Sequence, residues 1–242
     1  MARIGIIGVG LMGHGIGGNL LACGHDLTVI AHRNRTPVDD LLSRGASEAA
    51  SPKALAEAVD FVLVCVTGSP QLAAVADGPE GFVAGLSPGM TVIDCTTGEP
   101  DLVLAEAEAA AATGARYADC PLARTPVEAE KGTLNVMVGA EPAVFEDIRP
   151  ILECFCENIF HVGPVGSGTR MKLINNLITM GQAALIAEAI AACKASGVDL
   201  QVFYDIISKG GGNSGIFQMI VPDFIESGSC DGMKFSIANA SK

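Results

Sequence analysis

The chain reads as an α/β protein, with an N-terminal doubly wound sheet followed by an all-α domain on a long helix. Three observations carry that reading. Residues 3–31 hold a strand, a glycine-rich turn, a helix and a second strand in one compact run. From residue 51 to 162, short apolar strands alternate with helical stretches. After Gly163 every patterned segment has helical character. Apolar strands joined by helices belong to a sheet covered on both faces. The boundary is placed at Gly163, which gives domains of residues 1–163 and 164–242.

Composition narrows the class. At 242 residues, 49% hydrophobic and 17% charged, the chain can bury a large core and does not suit disorder. A formal net charge of −12 and the lack of any basic run argue against a nucleic-acid partner. The 8 Cys are scattered without zinc-ligand spacing, so no metal site is expected. They read as small buried hydrophobes in a reducing compartment. No apolar run reaches membrane-spanning length, and no signal peptide is evident before the first strand. The expectation is a soluble cytoplasmic protein without a membrane partner.

Taken in order, residues 3–7 (RIGII) form a first strand, followed by Gly8-Val9-Gly10-Leu11-Met12-Gly13 and an apolar helix to about Cys23. A second strand, DLTVIA, starts at Asp26. G-x-G-x-x-G between a strand and a helix is the Rossmann dinucleotide fingerprint. Gly8 allows the tight turn, Gly10 lets a pyrophosphate approach the backbone, and Gly13 lets helix and strand pack closely. An NAD site usually has an acidic residue at the end of the second strand, to hold the ribose 2′-hydroxyl. Asp26 begins that strand instead, and its end reads His32-Arg33-Asn34-Arg35-Thr36. Two Arg with hydroxyl and amide neighbours suit a 2′-phosphate, so NADP is expected in preference to NAD.

Farther on, Ser51-Pro52 and Ser69-Pro70 each place an N-cap before a Pro at the first helical position. Strands are expected at 61–66, 91–94, 116–119, 134–138 and 158–162, with helices over 101–113 and 141–152. Ligands of such sheets sit beyond the carboxyl ends of the strands. Those ends carry Val66-Thr67, Asp94-Cys95-Thr96-Thr97 and Asp119-Cys120-Pro121.

The longest helix is expected over 167–196, about 45 Å of apolar sequence stopped by Gly197. Its largely apolar circumference predicts a buried core helix. Lys172, Asn176 and Thr179 share one face, with Asn175 beside them. Such a Lys either faces a polar cleft or snorkels from the helix start, and periodicity leaves both open. Asp199 is placed to cap a helix over 199–209, and a Gly-rich turn and two shorter helical segments follow.

Together these residues resemble the β-hydroxyacid dehydrogenases, the family of 3-hydroxyisobutyrate dehydrogenase. The resemblance runs in order through the fingerprint, Asp94 to Thr97, Asp119 to Leu122, Gly132-Thr133-Leu134, Gly166-Ser167-Gly168, and then Lys172 with Asn175-Asn176. It implies that Lys172 is the catalytic acid/base, that Asn176 is catalytic with it by helping to place the substrate, and that Asn175 is a substrate contact. It also implies cofactor contacts from Val66, Thr67, Thr96 and Thr97. The family's substrate loop typically reads Asp-Ala-Pro-Val-Ser-Gly-Gly, with Ser-Gly-Gly grasping a carboxylate. Here Leu122, Ala123, Arg124 and Thr125 stand in the last four of those positions as the implied substrate contacts, and the Arg-Thr pair, expected to hold the anionic end, looks more like the sulfolactaldehyde reductase branch. Family members also continue past a Lys-Asp pair whose Lys aligns with Lys242. On this reading the helical domain is truncated, and Lys242 joins the expected cofactor contacts. Rival readings are an imine or keto-acid reductase, or an NADP-binding interaction module. A homodimer or homotetramer through the helical part is expected, because so apolar a helix has little sequence left to cover it.

Overall fold

The computed structural model describes residues 1–229, which form two compact units divided between Lys172 and Leu173. The first unit carries the sheet. Strand β1 (Arg3–Ile7) lies parallel between β2 (Asp26–Val29) and, on its other side, a strand at Phe61–Val64. The two-residue β3 (Ser47–Glu48) extends the β2 edge, which makes the Phe61–Val64 strand β4. Beyond it, β5 (Thr91–Asp94) and β6 (Arg116–Asp119) continue in parallel. The resulting order, 3-2-1-4-5-6, is that of a doubly wound dinucleotide-binding sheet, and it reverses direction between β1 and β4.

The far edge is mixed rather than purely parallel. A hairpin of β7 (Leu122–Ala123) and β8 (Leu134–Gly139) runs antiparallel, β8 against β6, and β9 (Cys156–Gly163) adds in parallel to β8. Side chains alternate between two cores, with period 2. Ile4, Ile6, Leu63, Ile93 and Ala118 face one layer, with α1 (Gly13–Ala22), α2 (Thr36–Ser43) and a later helix at Pro142–Leu152. Val62, Val64, Val92 and Tyr117 face the other, with α3 (Pro52–Glu57), α4 (Ser69–Ala76) and α5 (Pro100–Ala112). The short α6 (Pro126–Lys131) packs on α1, so the Pro142–Leu152 helix is α7. Ser51 caps α3 as expected, accepting from the Ala54 N–H at 3.2 Å. Ser69 does not cap α4. It lies inside the helix, and its hydroxyl accepts from the Glu99 N–H at 2.7 Å instead.

Helix α8 (Ser167–Ser196) has the bounds expected from the sequence, but the compact division falls inside it, nine residues beyond Gly163. The reason is local, because the first turn of α8 is bonded into the sheet, as described below. The second unit packs Ile186 and Ile190 of α8 with Phe217, Ile220 and Val221, the last three from α10 (Gly215–Ser227). The intervening helix α9 (Leu200–Ile207) is capped by Asp199, which accepts from the N–H groups of Gln201 and Val202.

Two expectations for α8 fail. It is not a buried core helix, since Leu177 is 75% exposed and Leu185 67%. It is also long and apolar enough to cross a membrane by length and composition, although no uninterrupted apolar run marks it as such. A window average tolerates the Lys and Asn residues that break the run.

Candidate cofactor and active site

The fingerprint has the backbone its glycines imply. Gly8 adopts φ +105°, and a Cβ there would lie 2.3 Å from the Cys65 carbonyl oxygen. At Gly13 a Cβ would meet the Gly8 oxygen at 2.1 Å, so the turn closes only without side chains. Gly10 is the opposite case, because nothing lies within 4 Å of where its Cβ would stand. Open space over Gly10 at the start of α1 fits a pyrophosphate laid on backbone. Val9 and Met12 are half-buried, and Leu11 is 71% exposed at this mouth.

Strand ends continue the site away from the fingerprint. The Val66 N–H donates to Thr96 Oγ1 at 3.3 Å, linking the β4 and β5 ends. Thr96 is held in turn by Asp94, whose Oδ1 accepts from the Thr96 N–H at 2.9 Å. The other oxygen, Oδ2, accepts from the Tyr117 hydroxyl at 2.9 Å. Asp94 is fully buried, and burial pushes its carboxyl up to about 6 against the pull of those donors. Thr97 is half-buried and Thr67 exposed on the same rim.

At the next strand end, Asp119 fixes the start of α8. Its Oδ1 accepts from the Gly166 N–H and its Oδ2 from the Thr169 N–H, both at 2.6 Å. Two glycines make room for this. A Cβ on Gly139 would stand 2.2 Å from Asp119 Oδ1, and one on Gly168 would stand 2.4 Å from the Met137 carbonyl oxygen. Burial raises the Asp119 carboxyl, and the two N–H donors oppose that rise. The carboxylate thus occupies the helix N-terminus, where negative charge is favoured.

Lys172 lies three residues after Thr169, the last residue so anchored, and is 8% exposed. Burial lowers its ammonium from 10.5 to about 8, and it has no ion-pair partner among the described residues. A Lys that snorkels from the helix start would be solvated, and this one is buried. Asn175 and Asn176, on the same helix, are half-buried. Thr179 is turned to its own backbone, donating to the Asn175 carbonyl at 2.9 Å.

Other expected side chains have partners that sequence could not reveal. Arg35 is bound in a fork by Glu48, Nη1 to Oε1 at 2.9 Å and Nη2 to Oε2 at 3.0 Å, and it also meets Asp39 at 3.1 Å. Asn34 closes a turn, accepting from the Thr36 N–H at 3.1 Å. His32 and Arg33 are exposed, and Arg33 forms no salt bridge among the described residues. Arg124 pairs through Nη1 with Glu157 and with the Thr133 carbonyl, while its Nε and Nη2 make no bond among the described residues. It also holds φ +81°, the one positive φ at a non-glycine among the described residues. That is where the resemblance places a Gly, so the loop keeps its shape at the cost of a strained Arg. Thr125 is the N-cap of α6, in a capping box with Glu128. Leu122 and Ala123 form β7, opposite Val136 and Asn135. Lys242 lies outside the described residues. The sequence marks Asp94 and Asp119 as strand ends without showing what they bond, and nothing in it points to Glu48. A carboxylate closing an apolar strand was the available signal for the first two.

Two family models divide the chain. The NAD-binding domain of 6-phosphogluconate dehydrogenase matches residues 3–163, and the NAD-binding region of NADP-dependent 3-hydroxyisobutyrate dehydrogenase matches 166–242. Among curated relatives, 2-(hydroxymethyl)glutarate dehydrogenase of Eubacterium barkeri is 33% identical over 95% of this chain and 76% of its own length. Among solved structures, Psf3 in complex with NADP+ and 2-OPP is 30% identical, with a TM-score of 0.85 over 95% of this chain and 81% of that one. The 3-hydroxyisobutyrate dehydrogenase of Mycobacterium tuberculosis, with L-serine, is 26% identical, with a TM-score of 0.82 over 92% and 75%. A fingerprint with the required backbone, a buried lysine after a glycine-lined helix start, and these matches over nearly the whole chain agree: the protein belongs to the β-hydroxyacid dehydrogenase family, as an NAD(P)-dependent hydroxyacid dehydrogenase.

Proposed function

We propose that this chain is an NADP-preferring enzyme that interconverts a small anionic 3-hydroxy acid and its semialdehyde, with Lys172 as the general acid/base. The observation that carries the reading is Lys172 itself, buried, without a counter-ion among the described residues, and shifted by burial to about 8. Such a group exchanges a proton near neutral pH, as a catalytic acid/base must. When bound, the nicotinamide supplies or accepts the hydride. In the reducing direction Lys172 gives its proton to the developing alkoxide, and its positive charge stabilises that oxygen beforehand. In the oxidising direction neutral Lys172 takes the hydroxyl proton. Asn176, one helical turn on, orients the substrate oxygen or the ammonium.

Arg124 is the expected anion contact. Its engagement with Glu157 uses Nη1 alone, so Nε and Nη2 still offer the two N–H groups that grip a carboxylate or sulfonate side by side. Thr125, committed as a cap, contributes through its place in the loop rather than through a free hydroxyl. For the cofactor, the exposed Arg33, without a salt bridge among the described residues, and the lack of an acid at the end of β2 favour the 2′-phosphate.

The testing experiment is a panel of carboxylate, sulfonate and phosphate semialdehydes, assayed with NADPH and with NADH. Turnover of a 3-carbon or 4-carbon anionic semialdehyde, faster with NADPH, is expected. Reduction of imines with no reduction of any semialdehyde would assign the chain to the imine reductase alternative. Binding of NADPH without turnover of any substrate would leave only an interaction module.

A further inference from the structure

The basic turn after β2 is less free than its sequence suggests, and the residue that limits it is far away in the chain. Glu48 ends β3, and its strand register sets it beside Val29, the last residue of β2. It therefore lies at the carboxyl edge where the adenosine ribose of a bound dinucleotide belongs. From there both carboxylate oxygens grip both terminal nitrogens of Arg35, at 2.9 and 3.0 Å. Asp39 makes only one contact, to Nη2 at 3.1 Å, and is more exposed than Glu48, 58% against 32% for the side chains. A planar guanidinium held in such a fork has two of its best donors committed.

We propose that Glu48 is a cofactor-specificity residue, which competes with the 2′-phosphate of NADP for Arg35. This rests on the dinucleotide site proposed above. A 2′-phosphate entering the turn must displace the Glu48 carboxylate from Arg35 to reach those two donors. A ribose 2′-hydroxyl carries no charge and has no need of them. Glu48 thereby holds the NADP preference below what the two arginines would otherwise give.

The test is titration of NADPH and NADH into the wild type and into the Glu48→Gln, Glu48→Ala, Arg35→Ala and Glu48→Gln/Arg35→Ala variants. Glu48→Gln keeps the side-chain length and removes the charge, while Glu48→Ala also removes the amide acceptor that could still bind Arg35. Each should tighten NADPH by about fivefold and leave NADH within about twofold. The gain should vanish in the double variant, because it is delivered through Arg35. A purely structural staple would move both cofactors together. An NADPH-to-NADH ratio unmoved in both Glu48 variants, or a gain that survives Arg35→Ala, overturns the proposal while leaving the dehydrogenase reading intact. Failure of the wild type to bind either cofactor overturns that reading, and this one with it.

Discussion

At the scale of single residues, the burial of Lys172 bears on stability and, on the proposed reading, on chemistry as well. Its folded-state pKa lies below the unfolded value, at about 8 against 10.5, because burial disfavours the charge. Between those values the unfolded chain holds more protons than the folded one, so this group makes stability rise with pH across that window. Below about 8 the penalty is complete, on the order of 3 kcal/mol. Lys172→Met should thus stabilise the fold near pH 7 by up to that amount in urea melts. Turnover should fall by about a hundredfold to ten-thousandfold, with NADPH affinity intact. Unchanged stability and activity would mean that the lysine is solvated and not catalytic. Lys172→Arg should not restore turnover, since guanidinium does not release its proton. The pH profile offers an independent check. Semialdehyde reduction needs the charged amine and should decline above about 8, whereas hydroxy-acid oxidation needs the neutral amine and should rise through the same region. Profiles that bend the same way in both directions would remove Lys172 from the proton transfer.

At the scale of elements, the start of α8 is what places that lysine. Asp119 at the end of β6 and the bare faces of Gly139 and Gly168 fix the first helical turn against the sheet. Gly168→Ala would set a methyl 2.4 Å from the Met137 oxygen and 2.6 Å from that of Asp119, both backbone atoms that cannot swing aside. The helix start must then shift, and misplacement of a catalytic group by about 1 Å costs on the order of a hundredfold. The expected outcome is a fall in kcat of that order with NADPH affinity little changed, because the Gly8–Gly13 turn is untouched. Full activity in a folded Gly168→Ala protein would show that this junction does not position Lys172. The sequence made this element legible as a helix over 167–196 because its apolar pattern is long and unbroken by Pro. The same logic found the fingerprint, whose meaning is local. It could not find β3 or β7, since two residues carry no periodicity. Nor could it see that Arg35 belongs to Glu48, 13 positions on, or Arg124 to Glu157, 33 positions on. Charge pairs of that separation are decided by which strands become neighbours. The positive φ of Arg124 was hidden for a related reason, because residue type argues against it and only the loop around it imposes it.

At the scale of the whole molecule, α8 carries an exposed apolar face. Within one chain its second half packs on α10 through Ile186 and Ile190, while the described residues leave another face open. Met171, Ile174, Ile178 and Leu185 are 40%, 52%, 57% and 67% exposed, and their spacing of three, four and seven follows a heptad seam. Gly181 takes the missing seam position, with nothing within 4 Å of its Cβ direction, which would let a second helix approach closely there. Leu177, 75% exposed, flanks the same stripe. Apolar surface so patterned is costly in water, and a second copy presents the identical seam, which is the requirement for a two-fold interface. A homodimer or homotetramer through α8 is therefore expected in solution. Ile178→Glu with Leu185→Glu should dissociate it, by burying two like charges across the contact. Cofactor affinity should persist, because the fingerprint lies in the other unit. Sedimentation at micromolar concentration decides the matter. A wild type that is already a single monomeric species, or a double variant that stays associated, would show that α8 is not the interface.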